Sequence, residues 1–144
     1  MIFAVETAVA ASPEAAFDAM ADARNETRWN SQVSRAELLS DEPVRAGSRF
    51  ETVNRGQTYL ATITTYDRPA RLVFDVTGKA LDIGAEFDFA PAGDRTRVSA
   101  RLDFRPKGVV RAMFALMTPA VRRDLPKQLD SFRAMCESGA AVPR

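Results

Sequence analysis

No histidine occurs among the 144 residues. That absence removes the commonest general acid/base and the commonest metal ligand at neutral pH, and with them most zinc and triad chemistry. Cys136 is the lone cysteine. It cannot form an intramolecular disulfide, so a reducing, cytoplasmic location is expected. Neither sign of charge dominates: 20 Lys and Arg against 19 Asp and Glu leave a net charge of +1, too even for the field by which nucleic-acid binders gather phosphate. No apolar run approaches the ~20 residues of a membrane-spanning helix, and no glycine-rich loop suits a nucleotide. The opening MIFAVETAVAAS ends in small residues, as a leader would, but it has no basic start and Glu6 interrupts it. A strand is expected there. Nucleic acid, integral membrane association, metal and cofactor are all left out of the expected function.

What is present is apolar: 46% of the residues, including nine Phe. A chain of this length supports one sizeable core. The expectation is a single domain over 1–138 with a short tail at 139–144. Phe3, Val5, Thr7 and Val9 alternate with smaller or charged neighbours, which predicts a first strand over 2–10. Ser12, Pro13 and Glu14 supply an N-cap, a proline suited to the first helical position and an acid for the helix dipole, so a helix follows to about Ala21. Asp22 can cap a second short helix through Trp29, and Val33 to Leu39 returns to a strand pattern.

From Gly47 onward, turn residues at 54–56, 67–69, 77–79 and 91–94 divide the chain into a meander of five strands. In the last hairpin a turn centred on Ala92-Gly93 places Phe87 opposite Val98 and Asp88 opposite Arg97, pairing apolar with apolar and acid with base. From Lys107 to about Glu137 the period changes to helical: Val110, Met113, Phe114, Met117, Val121, Leu125, Leu129, Phe132 and Cys136 recur every three to four residues. Pro119 and Pro126 fall on the opposite face of this helix. A kink or break is expected near 117–119.

In this order the motifs resemble a known family. Ala11-Ser12-Pro13-Glu14-Ala15-Ala16-Phe17, Trp29-Asn30, Gly47-Ser48-Arg49-Phe50, the turns at 65–72 and 93–98, and Lys107-Gly108 are similar to the polyketide cyclase/dehydrase-like branch of the START-like (SRPBCC, helix-grip) superfamily. The resemblance implies an α+β helix-grip fold: an antiparallel sheet of six or seven strands wrapped around a long C-terminal helix, with two short helices after the first strand and an apolar cavity between. It implies no universal catalytic residue, because members of the superfamily do different things with one fold.

On the predicted strand and helix phases Trp29, Phe50, Tyr59, Phe74, Phe87, Phe89, Met113, Phe114, Met117 and Phe132 face inward. Each is suited to ordinary core packing, but as a set they are candidate walls of a ligand cavity, with the adaptable Met113 and Met117 one turn apart. Tyr59 is a candidate to orient a ligand's polar group, whereas Tyr66 has the opposite phase and is expected at the surface. Glu51, Asp75 and Glu86 fall on the outer face and make a poor catalytic set. Arg24, Arg28 and Asn30 flank Trp29 near the expected cavity mouth, placed either to meet an acidic group of a ligand or to form a solvated helix face, and Arg111, Arg122, Arg123, Lys127 and Arg133 give the last helix a basic polar side, read as a solvated face. Cys136 reads as a small apolar residue. The expected function is binding of a small hydrophobic molecule that is lipid-, isoprenoid- or polyketide-like. The alternative is an aromatase/cyclase or dehydratase acting in the same cavity, with Tyr59 the first candidate for proton transfer.

Overall fold

The alternation that begins at Phe3 forms β1 (Ile2–Val9), with Phe3 and Val9 buried and Ala4, Glu6 and Ala8 exposed. The computed structural model describes residues 1–139; the tail expected at 139–144 lies outside the described residues beyond Gly139. Ser12 caps α1 (Pro13–Ala21) by accepting the Ala15 N–H at 3.1 Å, with Pro13 in the first turn. Asp22 caps the single 3-10 turn at Ala23–Asn25 through the Arg24 N–H, and α2 (Glu26–Trp29) follows at once. The strands are β2 (Val33–Leu38), β3 (Arg49–Asn54), β4 (Gln57–Asp67), β5 (Arg71–Gly78), β6 (Leu81–Ala92) and β7 (Arg95–Pro106), and the long helix is α3 (Gly108–Ser138).

The strands make one antiparallel, curved sheet in the order β1-β7-β6-β5-β4-β3-β2. Helices α1 and α2 bridge its two edge strands in sequence, and α3 packs chiefly on β1. Covering that edge blunts the tendency of an exposed strand to pair with another chain. The helix-grip α+β architecture expected above is the one observed.

Three local expectations are corrected. In the β6–β7 hairpin the two-residue turn is Gly93-Asp94, so Phe89 faces Val98, Phe87 faces Ala100 and Asp88 faces Ser99. The register moves by two residues, which keeps every side chain on its face. Gly93 at φ +69° is what the tight turn requires, and Asp88 pairs instead with Arg71 on β5 at 3.0 Å. Second, a bulge between Ile63 and Thr65 inserts a residue into β4. It reverses the phase beyond it, so Tyr66 turns inward and meets Phe17 edge to face at 5.0 Å. Third, of the kink or break expected at 117–119 the break is not found: α3 continues as helix through these residues. Pro119 and Pro126 forgo hydrogen bonds to Ala115 and Arg122, and both carbonyls belong to exposed residues that water reaches.

Candidate ligand-binding cleft

Strand register aligns the inward side chains in columns across the sheet. One runs Phe50, Ala61, Val76, Ile83 and Phe104; the next runs Ile63, Phe74, Ala85, Leu102 and Phe3. Phe74 stands 6.4 Å from both Phe50 and Phe87, ring centre to ring centre. The C-terminal half of α3 closes over this part of the sheet: Leu129, Phe132 and Met135 are buried, and Phe132 meets Trp29 of α2 edge to face at 5.6 Å. Phe17 of α1 meets Phe89 at 5.4 Å. Apart from Ile83, Phe104 and Phe3, these residues form one continuous cluster. Here the interior is filled by side chains.

The other half of the sheet is built differently. Phe114 and Leu125 of α3 sit with Phe3, flanked by Val5, Leu81, Leu102, Phe104 and Val121, in a second cluster along β1 and β7. Ile83 and Tyr59 on the sheet, and Val110, Met113 and Met117 on the helix, join neither cluster. Met113 is 56% exposed and Met117 41%. Their direction follows from helical spacing. Val110, Met117 and Asp124 are seven apart and share a side of α3. Asp124 reaches Arg55 at 3.2 Å and Gln32 at 3.3 Å, and Gln128 donates to Gln32 at 3.2 Å. That flank therefore looks across the concave sheet toward the β3–β4 turn. The space between this flank and the column of Val76 and Ile83, whose side chains are half-buried, is the candidate cleft.

Two features set the cleft's far rim. Arg55 and Gly56 both have positive φ, +51° and +77°, as a two-residue turn of the twisted hairpin type requires. An arginine in this region costs about 1–2 kcal/mol, and its side chain is the one that ties the turn to α3. Arg123, with Gln32 and Arg55 beside it, holds the Asp124 carboxyl below the usual carboxylate range. The second feature is Tyr59, whose ring closely approaches its cross-strand partner Gly78 on β5. A Cβ built on Gly78 would stand 2.5 Å from the Tyr59 ring. Glycine is needed here for close approach rather than for an unusual φ. Burial pushes the Tyr59 phenol up, so at neutral pH it is a hydrogen-bond donor.

Of the ten candidate residues, Phe50, Phe74, Phe87, Phe89, Phe114 and Phe132 are buried in the two clusters, and Trp29 is half-buried on Phe132. Tyr59 lies at the cleft. Met113 and Met117, expected inward, are instead exposed. Their stripe is wider than the seam the helix buries, so they fall on its margin. A residue passed over in the sequence is Glu26. It shares the α2 face with Trp29 and Asn30, three and four residues on, which is the one signal that marked it. Asn30 accepts the Gln32 N–H at 3.1 Å through its side-chain oxygen, which leaves its amide N–H₂ for the Glu26 carboxyl. Burial pushes that carboxyl up to about 7, with the Asn30 interaction opposing. Burial also raises the Cys136 thiol to about 12, helped by Glu137, so it is unreactive at neutral pH.

Two surface grooves are also present. One of about 650 Å³ runs between the start of α1 and the β4–β5 and β6–β7 turns, lined by Ser12, Pro13, Pro69, Phe89, Pro91 and Arg95. Its one large aromatic is already packed on Phe17. The other, about 320 Å³, wraps the rim at Tyr59 and Gly78.

The sequence profile of the family described as "Polyketide cyclase / dehydrase and lipid transport" matches residues 2–137. The chain belongs to this family. No curated protein matches it by sequence. Among solved structures, a Thermus thermophilus protein superposes with a TM-score of 0.81 at 17% identity, over 98% of this chain and 100% of that one. A START superfamily protein from Mycobacterium smegmatis gives 0.72 at 18%, over 97% and 96%. The structure titled Ara h 8.0201 gives 0.69 at 12%, over 96% and 98%. At these identities the likeness is one of fold. The family's fold is a ligand-binding one, and no helix among the described residues is long and apolar enough to cross a membrane.

Proposed function

We propose that the protein binds a small hydrophobic molecule, lipid-, isoprenoid- or polyketide-like, in the cleft between the sheet and the first half of α3. The observation that carries this reading is that apolar side chains of the sheet, Ile83 and Tyr59, and of the helix, Val110, Met113 and Met117, pack into neither buried cluster. Burying a side chain of that size contributes about 1.5–3 kcal/mol, and a guest between the walls recovers it. Tyr59 supplies one donor for a carbonyl or hydroxyl on the guest. The filled half supplies rigid support, with Phe50, Phe74, Phe87 and Phe132 forming the floor. A cytoplasmic location fits the single thiol, and residues 1–138 are the working unit.

The alternative is an aromatase/cyclase or dehydratase. It needs an acid/base group in the cleft. Tyr59 is titratable and stands there, but its raised phenol donates without acting as a base at neutral pH. Glu26, with its carboxyl near 7, belongs to α2 against the filled half. Binding is the reading these positions favour.

Titration with an apolar fluorescent probe tests it. Met117→Glu, at an exposed position that folding tolerates, is expected to weaken probe binding about ten-fold or more, with the circular dichroism spectrum unchanged. Equal affinity in the folded variant refutes the site.

A further inference from the structure

We infer that the outer face of the first half of α3 docks on an anionic lipid bilayer. From Gly108 to Val121 the helix has one charged residue, Arg111. Phe114, Val121 and Leu125 are turned onto Phe3, which leaves the opposite side to Val109, Ala112, Ala115, Leu116 and Pro119. All five are exposed, Val109 at 79% and Leu116 at 84%. Met113 continues the patch to the lip of the cleft. A helix face meant for water has a different composition, and α3 itself provides the comparison. Beyond Val121 its surface alternates in sign, with Arg133 paired to Asp130 at 2.7 Å and to Glu137 at 3.0 Å.

Charge decides among the surfaces that could cover this patch. Between Phe104 and Arg123 there are five basic residues, Arg105, Lys107, Arg111, Arg122 and Arg123, and no acidic one. Lys107, Arg105 and Arg123 have carboxylate partners. Arg111 and Arg122 have none among the described residues, and the Arg122 guanidinium lies 5.4 Å over the Phe3 ring. An exposed apolar stripe within a basic fringe matches a bilayer surface: the stripe enters the boundary between headgroups and acyl chains, and the fringe meets lipid phosphates. A second copy of the chain fits less well. A two-fold contact through this face would bring the two basic fringes together. Docked on a bilayer, the patch sets the cleft's lip at Met113 and Met117 against lipid. The docking itself does not depend on what the cleft holds.

Flotation of the full chain with vesicles tests the proposal. The wild type is expected to float with phosphatidylcholine vesicles containing phosphatidylglycerol and to stay behind with phosphatidylcholine alone. V109E/L116E is expected to abolish flotation while helicity and apolar-probe affinity stay at wild-type values, which separates docking from cargo binding. Ala112→Glu on the same face provides the same expectation should the double variant fail to fold. Arg111→Gln is expected to weaken partitioning about five-fold. The proposal is overturned if the wild type ignores anionic vesicles, or if the folded variants float as well as it does. A wild-type dimer in light scattering that V109E/L116E converts to monomer also overturns it.

Discussion

Replacing Glu26 by glutamine should make the protein more stable at pH 8 than at pH 5 relative to the wild type, and the size of the effect follows from the carboxyl's position. Burial between α2 and its neighbours moves it from 4.5 to about 7, which penalises the ionised form by about 3 kcal/mol in the folded state. Below 4.5 the folded and unfolded chains both hold this proton. Between 4.5 and 7 the unfolded chain releases it and the folded one keeps it, so stability falls as pH rises; above 7 the loss is complete. The residue as a whole keeps some surface, which makes about 3 kcal/mol a ceiling. Asn30 commits its side-chain oxygen to the Gln32 N–H, so its amide can donate to a glutamine oxygen as it does to the carboxyl. Urea unfolding of both proteins at pH 5, 6, 7 and 8 reads the difference directly, because the other carboxylates cancel. Glu26→Gln is expected to differ from the wild type by no more than about 1 kcal/mol at pH 5 and to gain about a further 2–3 kcal/mol over it by pH 8, about 3 kcal/mol in all being the ceiling. An offset that does not change with pH would refute the placement of an ionisable carboxyl in this interior.

Two further outcomes rest on close contacts and on burial. Gly78→Ala places a methyl 2.5 Å from the Tyr59 ring and 2.8 Å from the Leu81 carbonyl oxygen, so it should cost about 1–3 kcal/mol in urea unfolding. Adding Tyr59→Ala should recover only part of that, since the carbonyl stays; full recovery would locate the conflict in the ring alone. The Cys136 thiol, at about 12, should resist thiol reagents at pH 8 until urea unfolds the chain, and rapid labelling of the native protein would contradict its burial.

The fold was legible because its punctuation is local. Ser12, Pro13 and Asp22 act where their chemistry predicts, and the turn residues separate five strands at the expected places. The β6–β7 register was harder, because moving by two residues preserves both faces and the competing turns share Gly93. Tyr66 shows a different limit. The period-two phase of β4 holds to residue 63, and one inserted residue at the bulge reverses it. Nothing in a period-two pattern announces such an insertion. The site was less legible than the fold. Met113 and Met117 obey the helical spacing, yet whether a position at the edge of a stripe is covered depends on how far the sheet curves beneath it. Glu26 was passed over because an acid on a short polar helix looks like a solvated residue until α3 and β2 close on it.

The two halves of α3 also bear on the proposed binding site. Leaving Val109, Met113 and Leu116 in water forgoes about 1.5–3 kcal/mol of burial for each, and charged residues at those positions would make the helix more soluble without disturbing Phe114 or Leu125. The second half of the same helix has that arrangement in Asp130 and Arg133. Folding stability therefore gives no reason for the composition of the first half, since the buried stripe and the sheet beneath it would be the same with lysine at 116. Under the proposed function, what the apolar side chains provide is an uncharged run from the helix's outer face through Met113 and Met117 toward the bound guest. A molecule that is costly to expose to water can cross such a surface without meeting a charged side chain, and a row of lysines at 109, 113 and 116 would interrupt it.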